Sequence, residues 1–166
     1  LRLPFHVPEL PEVETVRRSL APRLVGAQVT SARLLRRDIA VAPGDPPGGF
    51  SRQRATNNAP APEAPPTPRR ITRTDLLCGA RIIAIDRRGK RLLIRTDAGR
   101  ALGVHLGMTV QLLLAAARTR LPTHAHAAWT LQTDGETFRL LFRDPRRFGG
   151  VWLFPDAASA GAWLGQ

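Results

Sequence analysis

Apolar residues near the beginning of the chain recur at spacings of three and four positions. These residues are Val13, Val16, Leu20 and Leu24. Such a period places one apolar face on a helix, which we predict over residues 11–21. Pro11 suits the first helical position, and the glutamates that follow it suit the positive end of the helix dipole. The pattern therefore predicts an amphipathic helix packed against a core.

Beyond residue 79 the apolar residues gather in short runs separated by turn residues, which is typical of β-strands. The runs are ARIIAID, RLLIRT, ALGVHL, VQLLLA, HAAWTLQT, TFRLLFRD and FGGVWLF, and QVTSARLLRR at residues 28–37 forms an eighth. Asp134-Gly135 is a strong hairpin signal, whereas VQLLLA could also begin a helix. The segment after Phe154 indicates a short helix. Short turns between mostly antiparallel strands predict a β-sandwich or barrel with a helix packed at one end.

One stretch interrupts this pattern. Residues from about 43 to 70 hold eight of the fifteen prolines and show no hydrophobic period. Because such a stretch buries little apolar surface, we predict a disordered, solvated insert within a single domain. The sequence TRTDLLCG after it predicts a helical turn closed by Gly79.

The composition narrows the class of protein. The chain has 166 residues, of which 43% are hydrophobic, so one folded domain is expected. No apolar run is long enough to span a membrane, and LRLPFH lacks the apolar centre of a secretory signal. Cys78 is the single cysteine, so these residues provide neither an internal disulfide nor a cysteine-based zinc site. A cytoplasmic location fits this composition.

The net charge and the types of cationic residue narrow the class of partner and the candidate chemistry further. The net charge of +12 favours a polyanionic partner, with nucleic acid ahead of an anionic membrane, although the codon bias of a GC-rich genome also produces arginine-rich chains. Of the 25 cationic residues, 24 are arginine and one is Lys90. Arginine does not give up its proton, so Lys90 is the first candidate for acid–base chemistry. The structural alternative is a solvated charge at the start of a strand.

Pro8 and Glu9 form a second candidate site ahead of the predicted helix. As structure, they merely lead the chain into that helix. As chemistry, a proline with a free amino group is a nucleophile that attacks an electrophilic sugar carbon, and Glu9 beside it exchanges protons with the leaving group. This second reading requires Pro8 to be the first residue of the chain.

Three further motifs carry residues suited to nucleic acid. In HLGM, Met108 is either a core residue or an apolar wedge for a distorted duplex. In THAHA, His124 and His126 lie on the same side of an extended segment, where a phosphate or sugar contact is favoured over metal binding. DPRRFGG, with Arg146 and Phe148, suits phosphate contact and base stacking, or else forms a tight turn capped by Asp144.

In this order, PELPEVETVRR, RRGKRLLI, HLGMT, HAH, DG and DPRRFGG resemble the N-terminal domain of bacterial formamidopyrimidine-DNA glycosylases. The resemblance runs from Pro8 to about Gly165 and is broken by the insert. The opening motif and DPRRFG favour this branch over the sister endonuclease VIII branch. The implied fold is mainly β (α+β), a two-layer, eight-stranded antiparallel β-sandwich flanked by helices.

The resemblance implies a bifunctional DNA glycosylase and abasic-site lyase that excises oxidised purines, 8-oxoguanine and formamidopyrimidines, in base excision repair. Pro8 would be the nucleophile that forms a Schiff base, Glu9 the proton donor and Lys90 the residue that assists β-elimination. His124 and Arg146 would hold DNA phosphates. Met108, Arg146 and Phe148 would fill the gap left when the damaged nucleotide is flipped out.

The sequence departs from the family pattern at four places. Pro8 follows Val7 rather than starting the chain, and we expect residues 1–7 to be an over-read leader, with translation starting at Val7. Val110 replaces a family glycine, and Thr123 and Ala125 replace a lysine and an aspartate. The domain is expected over residues 8–165. The family's helix–two-turn–helix and zinc-finger regions are then absent, and with them the one structural zinc; no cofactor is expected in this chain.

The expected partner is damaged double-stranded DNA, bound by a monomer, with no membrane association. The alternative of the same fold is a non-catalytic module that binds damaged DNA, or an inactive fragment of the family. A second alternative is a basic sandwich whose partner is not DNA.

Overall fold

The computed structural model describes residues 10–41, 70–146 and 149–166. Helix α1 is Leu10–Leu24, a single 3-10 turn is Arg37–Ile39 and helix α2 is Ala157–Gly165. The strands are β1 (Gln28–Leu34), β2 (Ala40–Val41), β3 (Ile82–Arg88), β4 (Arg91–Thr96), β5 (Ala101–His105), β6 (Gln111–Ala116), β7 (Ala125–Thr133), β8 (Glu136–Arg143) and β9 (Gly150–Phe154). No helix in these ranges is long and apolar enough to cross a membrane.

The strands form two sheets. One sheet has the order β1-β7-β8-β6 and the other the order β2-β9-β5-β4-β3. All pairings between the named strands are antiparallel except that of β2 with β9. The main core lies between the sheets, where strand residues with period two bury one face of each sheet. The predicted mainly β sandwich with flanking helices is confirmed.

Helix α1 runs along the edge of the second sheet beside β3. Val13, Leu20 and Leu24 are buried in the main core, as the helical spacing predicts. At its C-terminal end, Gly26 turns the chain with φ of 90° and donates its N–H to the carbonyl of Ile82. Burial of the apolar stripe and this turn together fix α1 antiparallel to β3.

Helix α2 covers the outer face of the second sheet. The side chain of Asp156 caps its first turn by accepting the N–H of Ser159 at 2.7 Å. Trp163 of α2 packs on Trp152, with ring centroids 5.2 Å apart, and lies over Gly103. A Cβ at Gly103 would come within 2.8 Å of the Trp163 ring, so the close approach of α2 requires glycine there.

The structure also refines the predicted elements. β1 ends at Leu34, three residues before the end of the predicted strand, and the 3-10 turn and the two-residue strand β2 follow from Arg37 onwards. VQLLLA forms strand β6, so its reading as the start of a helix is wrong. Gly79 closes the predicted turn with φ of 88°. The insert predicted at 43–70 lies almost wholly outside the described residues, as does the leader at 1–7.

Candidate active site

Four connections between strands meet at one end of the sandwich, which we call the site end. They are the Gly89-Lys90 turn, the segments 106–110 and 122–124, and the described part of the connection between β8 and β9, residues 144–146 and 149. Strand pairing brings them together, because His105 at the end of β5 lies opposite both Arg91 and Gly150. The N–H of Asp144 also donates to the carbonyl of His124 at 3.0 Å. The sandwich therefore groups segments that are far apart in the sequence.

Lys90 is half-buried in the turn between β3 and β4. Its carbonyl accepts the N–H of Leu106 at 3.1 Å, which ties the turn to the start of the loop that carries Met108. Within the described ranges, no hydrogen bond or ion pair holds the Lys90 ammonium group. The one lysine of the chain is thus fixed by its backbone while its side chain stays available.

The arginines around Lys90 have structural tasks. Arg91 donates to the carbonyl of Trp163 at 2.7 Å and lies over its ring, with its guanidinium carbon 5.2 Å from the centroid. Arg88 donates to the carbonyl of Gly165. Both arginines occupy carbonyls at the C-terminal end of α2, where cations are favoured. Lys90, which lies between them, makes no such contact with α2.

Arg87 connects the same turn to helix α1. Its Nε donates to Glu14 at 2.9 Å and its Nη1 donates to the carbonyl of Gly89 at 3.0 Å. Hydrogen bonds from Arg17, opposed by partial burial, and then from Arg18 and Arg87 lower the pKa of Glu14 to about 2 from its ordinary 4.5. The ionised Glu14 therefore holds the first turns of α1 beside the turn that carries Lys90.

His105, the first residue of the HLGM motif, is a member of this group to which the sequence assigned no role. Its Nδ1 accepts the N–H of Gly107 at 3.0 Å, so a neutral ring carries its proton on Nε2. Burial, followed by the charges of Arg91 and Lys90, lowers the pKa of His105 below its ordinary 6.5. The site end thus holds a neutral imidazole with one N–H to donate, close to two cations. The geometry would suit an anion such as a phosphate.

Met108 lies in the loop between β5 and β6 with 42% of its surface exposed. The structural alternative for Met108 is a core residue, which would be buried. Leu106 and Val110, at the two ends of the same loop, are buried, with 2% and 6% of their surface exposed. Exposure of Met108 at the tip of an anchored loop favours the wedge interpretation.

Asp144 organises the site end. It is fully buried, and its carboxylate accepts the Thr109 hydroxyl at 2.8 Å and the Gly149 N–H at 2.8 Å. Its carbonyl bonds to Nε2 of His126 at 2.9 Å. Asp144 therefore holds Gly149 and ties it to the Met108 loop and to β7.

The two histidines of THAHA separate. His126 is buried against Asp144, whereas His124 is exposed and has φ of 68°, a left-handed conformation that is uncommon outside glycine. The expectation that both lie on the same side of an extended segment is wrong, because this backbone reversal precedes β7 and its register shifts between Ala125 and Ala127. No group of three metal-ligating side chains occurs in the ranges described.

The remaining predicted residues divide into two groups. Arg146 is exposed in the turn that follows Asp144 and interacts with other groups of the protein. Pro8, Glu9 and Phe148 lie outside the described residues, so their roles stay predictions. Lys90, Met108, His124 and Arg146 all belong to the four segments of the site end.

This fold is similar to that of solved DNA glycosylases. Fpg (MutM) of Lactococcus lactis, solved in complex with DNA that contains FAPY-dG, matches with a TM-score of 0.64 and 27% identity, over 88% of this chain and 44% of that one. Among curated proteins, the formamidopyrimidine-DNA glycosylase of Caulobacter vibrioides is 38% identical over 170 residues, or 95% of this chain and 50% of that protein. The glycosylase of the same name from Acidothermus cellulolyticus is 38% identical over 94% of this chain and 46% of its own.

The family described as "Formamidopyrimidine-DNA glycosylase N-terminal domain" matches residues 7–151. The chain belongs to this DNA glycosylase family. It spans about half the length of the curated relatives it matches.

Proposed function

We propose that the chain is the catalytic half of a bifunctional DNA glycosylase and abasic-site lyase that acts on oxidised purines, 8-oxoguanine and formamidopyrimidines, in duplex DNA. The observation that carries the proposal is the contact of Arg87 with both Glu14 and Gly89, which brings the beginning of α1 to Lys90. Two peptide units join Pro8 to Leu10 of α1, a reach of at most about 7 Å. This reach supports the proposal that the amine at Pro8 and the ammonium group of Lys90 serve one site.

The chemistry follows from these two amines and Glu9. The Pro8 nitrogen attacks the anomeric carbon of the damaged nucleotide, and the bond to the base breaks while Glu9 gives the departing base a proton. The proton of the attacking nitrogen then passes to the ring oxygen, the bond from that oxygen to the anomeric carbon breaks, and an iminium ion joins Pro8 to that carbon. The iminium acidifies the neighbouring C2′ proton, and the Glu9 carboxylate, which has given its own proton to the base, accepts it. A C2′–C3′ double bond forms as the 3′-phosphate leaves with the electrons of the C3′–O bond. Lys90 assists this elimination as the nearby cation.

Residues of the site end, together with Phe148, hold the distorted duplex. The damaged nucleotide leaves the base stack before the reaction, and Met108, Arg146 and Phe148 fill the gap. His124 and Arg146 contact phosphates, and the Nε2–H of His105 adds a donor beside Lys90. The net charge of +12 supports a polyanionic partner.

The nucleophile requires a free amine at Pro8. With Val7 attached, the nitrogen of Pro8 belongs to an amide and cannot attack. We therefore propose that translation starts at Val7, read as methionine, and that this methionine is removed. Sequencing of the N-terminus of protein made from the native gene tests this step; a first residue ahead of Val7 would contradict it.

Borohydride trapping on abasic duplex DNA tests the function. Two chains are compared that differ only at the N-terminus, one beginning at Leu1 and the other at Pro8. We expect a covalent adduct with the chain that begins at Pro8, mapped by mass spectrometry to its N-terminal peptide, and none with the longer chain. Equal trapping of both chains, an adduct on Lys90, or no adduct with either would contradict the proposal.

The same DNA separates the enzyme from a binding module. A non-catalytic module binds the duplex with an affinity that falls steeply with salt, but it forms no adduct whichever residue begins the chain. A sandwich whose partner is not DNA shows neither the adduct nor the steep salt dependence.

A further inference from the structure

The loop that presents Met108 depends on one side chain of the preceding strand. The N–H of Gly107 donates to Nδ1 of His105 at 3.0 Å, and Gly107 has φ of 49°, so the chain reverses immediately before Met108. Asp144 holds the far side of the same loop through the Thr109 hydroxyl at 2.8 Å. The loop is therefore held by a carboxylate on one side of Met108 and by an imidazole on the other.

Packing keeps that imidazole in the form that can accept a hydrogen bond. His105 lies edge-on to Trp152, with ring centroids 6.3 Å apart, and Trp152 in turn packs on Trp163 of α2. Arg91 lies opposite His105 in the sheet and Lys90 is close by. Burial against an aromatic cluster and two neighbouring positive charges both oppose protonation of His105, and they lower its pKa.

We propose that His105 is a positioning residue for Met108, because its unprotonated Nδ1 fixes the Gly107 N–H and thereby the direction in which the methionine projects. Met108 acts as a wedge only if the proposed function is correct, so any effect of this hydrogen bond on the reaction rests on that function. The coupling between His105 and Met108 is a property of the protein without DNA. A proton on Nδ1 removes the acceptor, and the loop then loses the anchor on this side.

Several charged groups surround His105 from the elements packed on it. Lys90 and Arg91 lie on the β4 side and disfavour the imidazolium. On the side of β9, Trp152 does not titrate, and Gly149 lies against the His105 carbonyl, where its N–H is bound by the Asp144 carboxylate. An anion that neutralises Lys90 and Arg91 would favour the imidazolium. The hydrogen bond between His105 and Gly107 therefore responds both to pH and to an anion bound at the site end.

The test uses the fact that Met108 is the single methionine of the chain. The 166-residue protein is labelled with ¹³C-methyl methionine, and the Met108 methyl signal, assigned by its loss in Met108→Leu, is followed by NMR as the pH is lowered. We expect the signal to move in one titration step whose midpoint lies below pH 6.5, the ordinary His value. A signal that shows no such step would overturn the proposal.

Two substitutions test separately what Nδ1 and Nε2 of His105 contribute. In His105→Asn, the amide oxygen occupies the place of Nδ1 and still accepts the Gly107 N–H. In His105→Gln, the amide lies near the place of Nε2 and that acceptor is lost. We expect His105→Asn to keep the neutral-pH Met108 signal without titration, and His105→Gln to show the acid-form signal at every pH. Equal signals in the two variants would contradict the assignment.

Controls separate this coupling from general damage. His124→Asn changes an exposed histidine of another segment and should leave the Met108 titration as in the wild type. Thermal unfolding checks that His105→Gln is folded; if it is not, the wild-type titration and His105→Asn still decide. Because these measurements use no DNA, failure of the trapping experiment would leave the coupling intact, and loss of the coupling would leave the Pro8 chemistry untouched.

Discussion

The two ends of the sandwich close their connections in different ways. At the far end, the turn between β4 and β5 is closed by its own residues: the Thr96 hydroxyl donates to the carbonyl of Arg100 at 2.7 Å. At the site end, Asp144 accepts the hydroxyl of Thr109, a residue 35 positions away in the sequence. Local contacts close the turn between β4 and β5, whereas the junction at Asp144 forms only once the sheets have formed. Substitutions at the two ends should therefore have different consequences.

The largest expected effect is that of Asp144→Ala. It removes two acceptor contacts and leaves the Thr109 hydroxyl and the buried Gly149 N–H without their partner. We expect a loss of about 3 kcal/mol in the free energy of unfolding, measured with urea.

Asp97→Ala is the matched control at the far end. Asp97 accepts the Arg81 N–H at 2.9 Å in an exposed turn, so water replaces the lost acceptor. The expected loss is about 1 kcal/mol. Equal losses at Asp144 and Asp97 would remove the distinction between the two ends.

Gly149→Ala tests how closely the segments of the site end pack. A Cβ at residue 149 would lie 2.1 Å from Cγ2 of Val110 and 2.9 Å from the carbonyl oxygen of His105. We expect a loss of about 2 kcal/mol of unfolding free energy. Adding Val110→Ala should recover part of it, because the shorter contact disappears while the backbone contact remains.

Gly161→Ala provides the opposite control. Gly161 lies in α2, and a Cβ there meets nothing within 4 Å. Alanine should therefore raise the unfolding free energy by about 0.5–1 kcal/mol through helix propensity. If both glycine substitutions destabilise the protein alike, close packing is not the cause at residue 149.

Acid titration tests the link between α1 and the site end. The pKa of Glu14 is depressed to about 2 from 4.5, so its ion pairs stabilise the folded state above pH 4.5, and this contribution is lost as the pH falls towards 2. Urea midpoints of the wild type and Glu14→Gln should therefore converge over that range. Curves that stay parallel would show that Glu14 does not hold the helix through its charge.

The smallest expected effect on stability is that of His124→Gly, which, like Gly161→Ala, should not destabilise the protein. Glycine relieves the strain of a positive φ while the residue 124 carbonyl still accepts the Asp144 N–H. We expect unchanged stability or a gain of up to about 1 kcal/mol. Affinity for duplex DNA should fall several-fold, because the proposed phosphate contact is lost. A stable variant with full affinity would remove His124 from the DNA surface.

The sequence predicted those parts of the molecule that depend on local patterns. Helix α1, the hairpin at Asp134-Gly135 and the turn at Gly79 each follow from residues within a few positions of one another. Strand β2 has two residues, too few for an alternation to be visible.

The arrangement of the candidate site required the tertiary structure. The sequence selected Lys90 because it is the single lysine, but the contact of Arg87 with Glu14 joins residues 73 positions apart. The role of Asp144 as a junction, and the separation of His124 from His126, follow from packing between strands and from one backbone reversal. The order of residue types along the chain predicts neither the packing between these strands nor the backbone reversal at His124.

Amine cross-linking tests the central proposal, which is that the amine at Pro8 and the ammonium group of Lys90 serve one site. A chain that begins at Pro8 has two amines, because Lys90 is its single lysine. We expect a short amine-reactive cross-linker to join the N-terminal peptide to the Lys90 peptide within one molecule. A dilute protein that reacts at both amines without that intramolecular link would contradict the account.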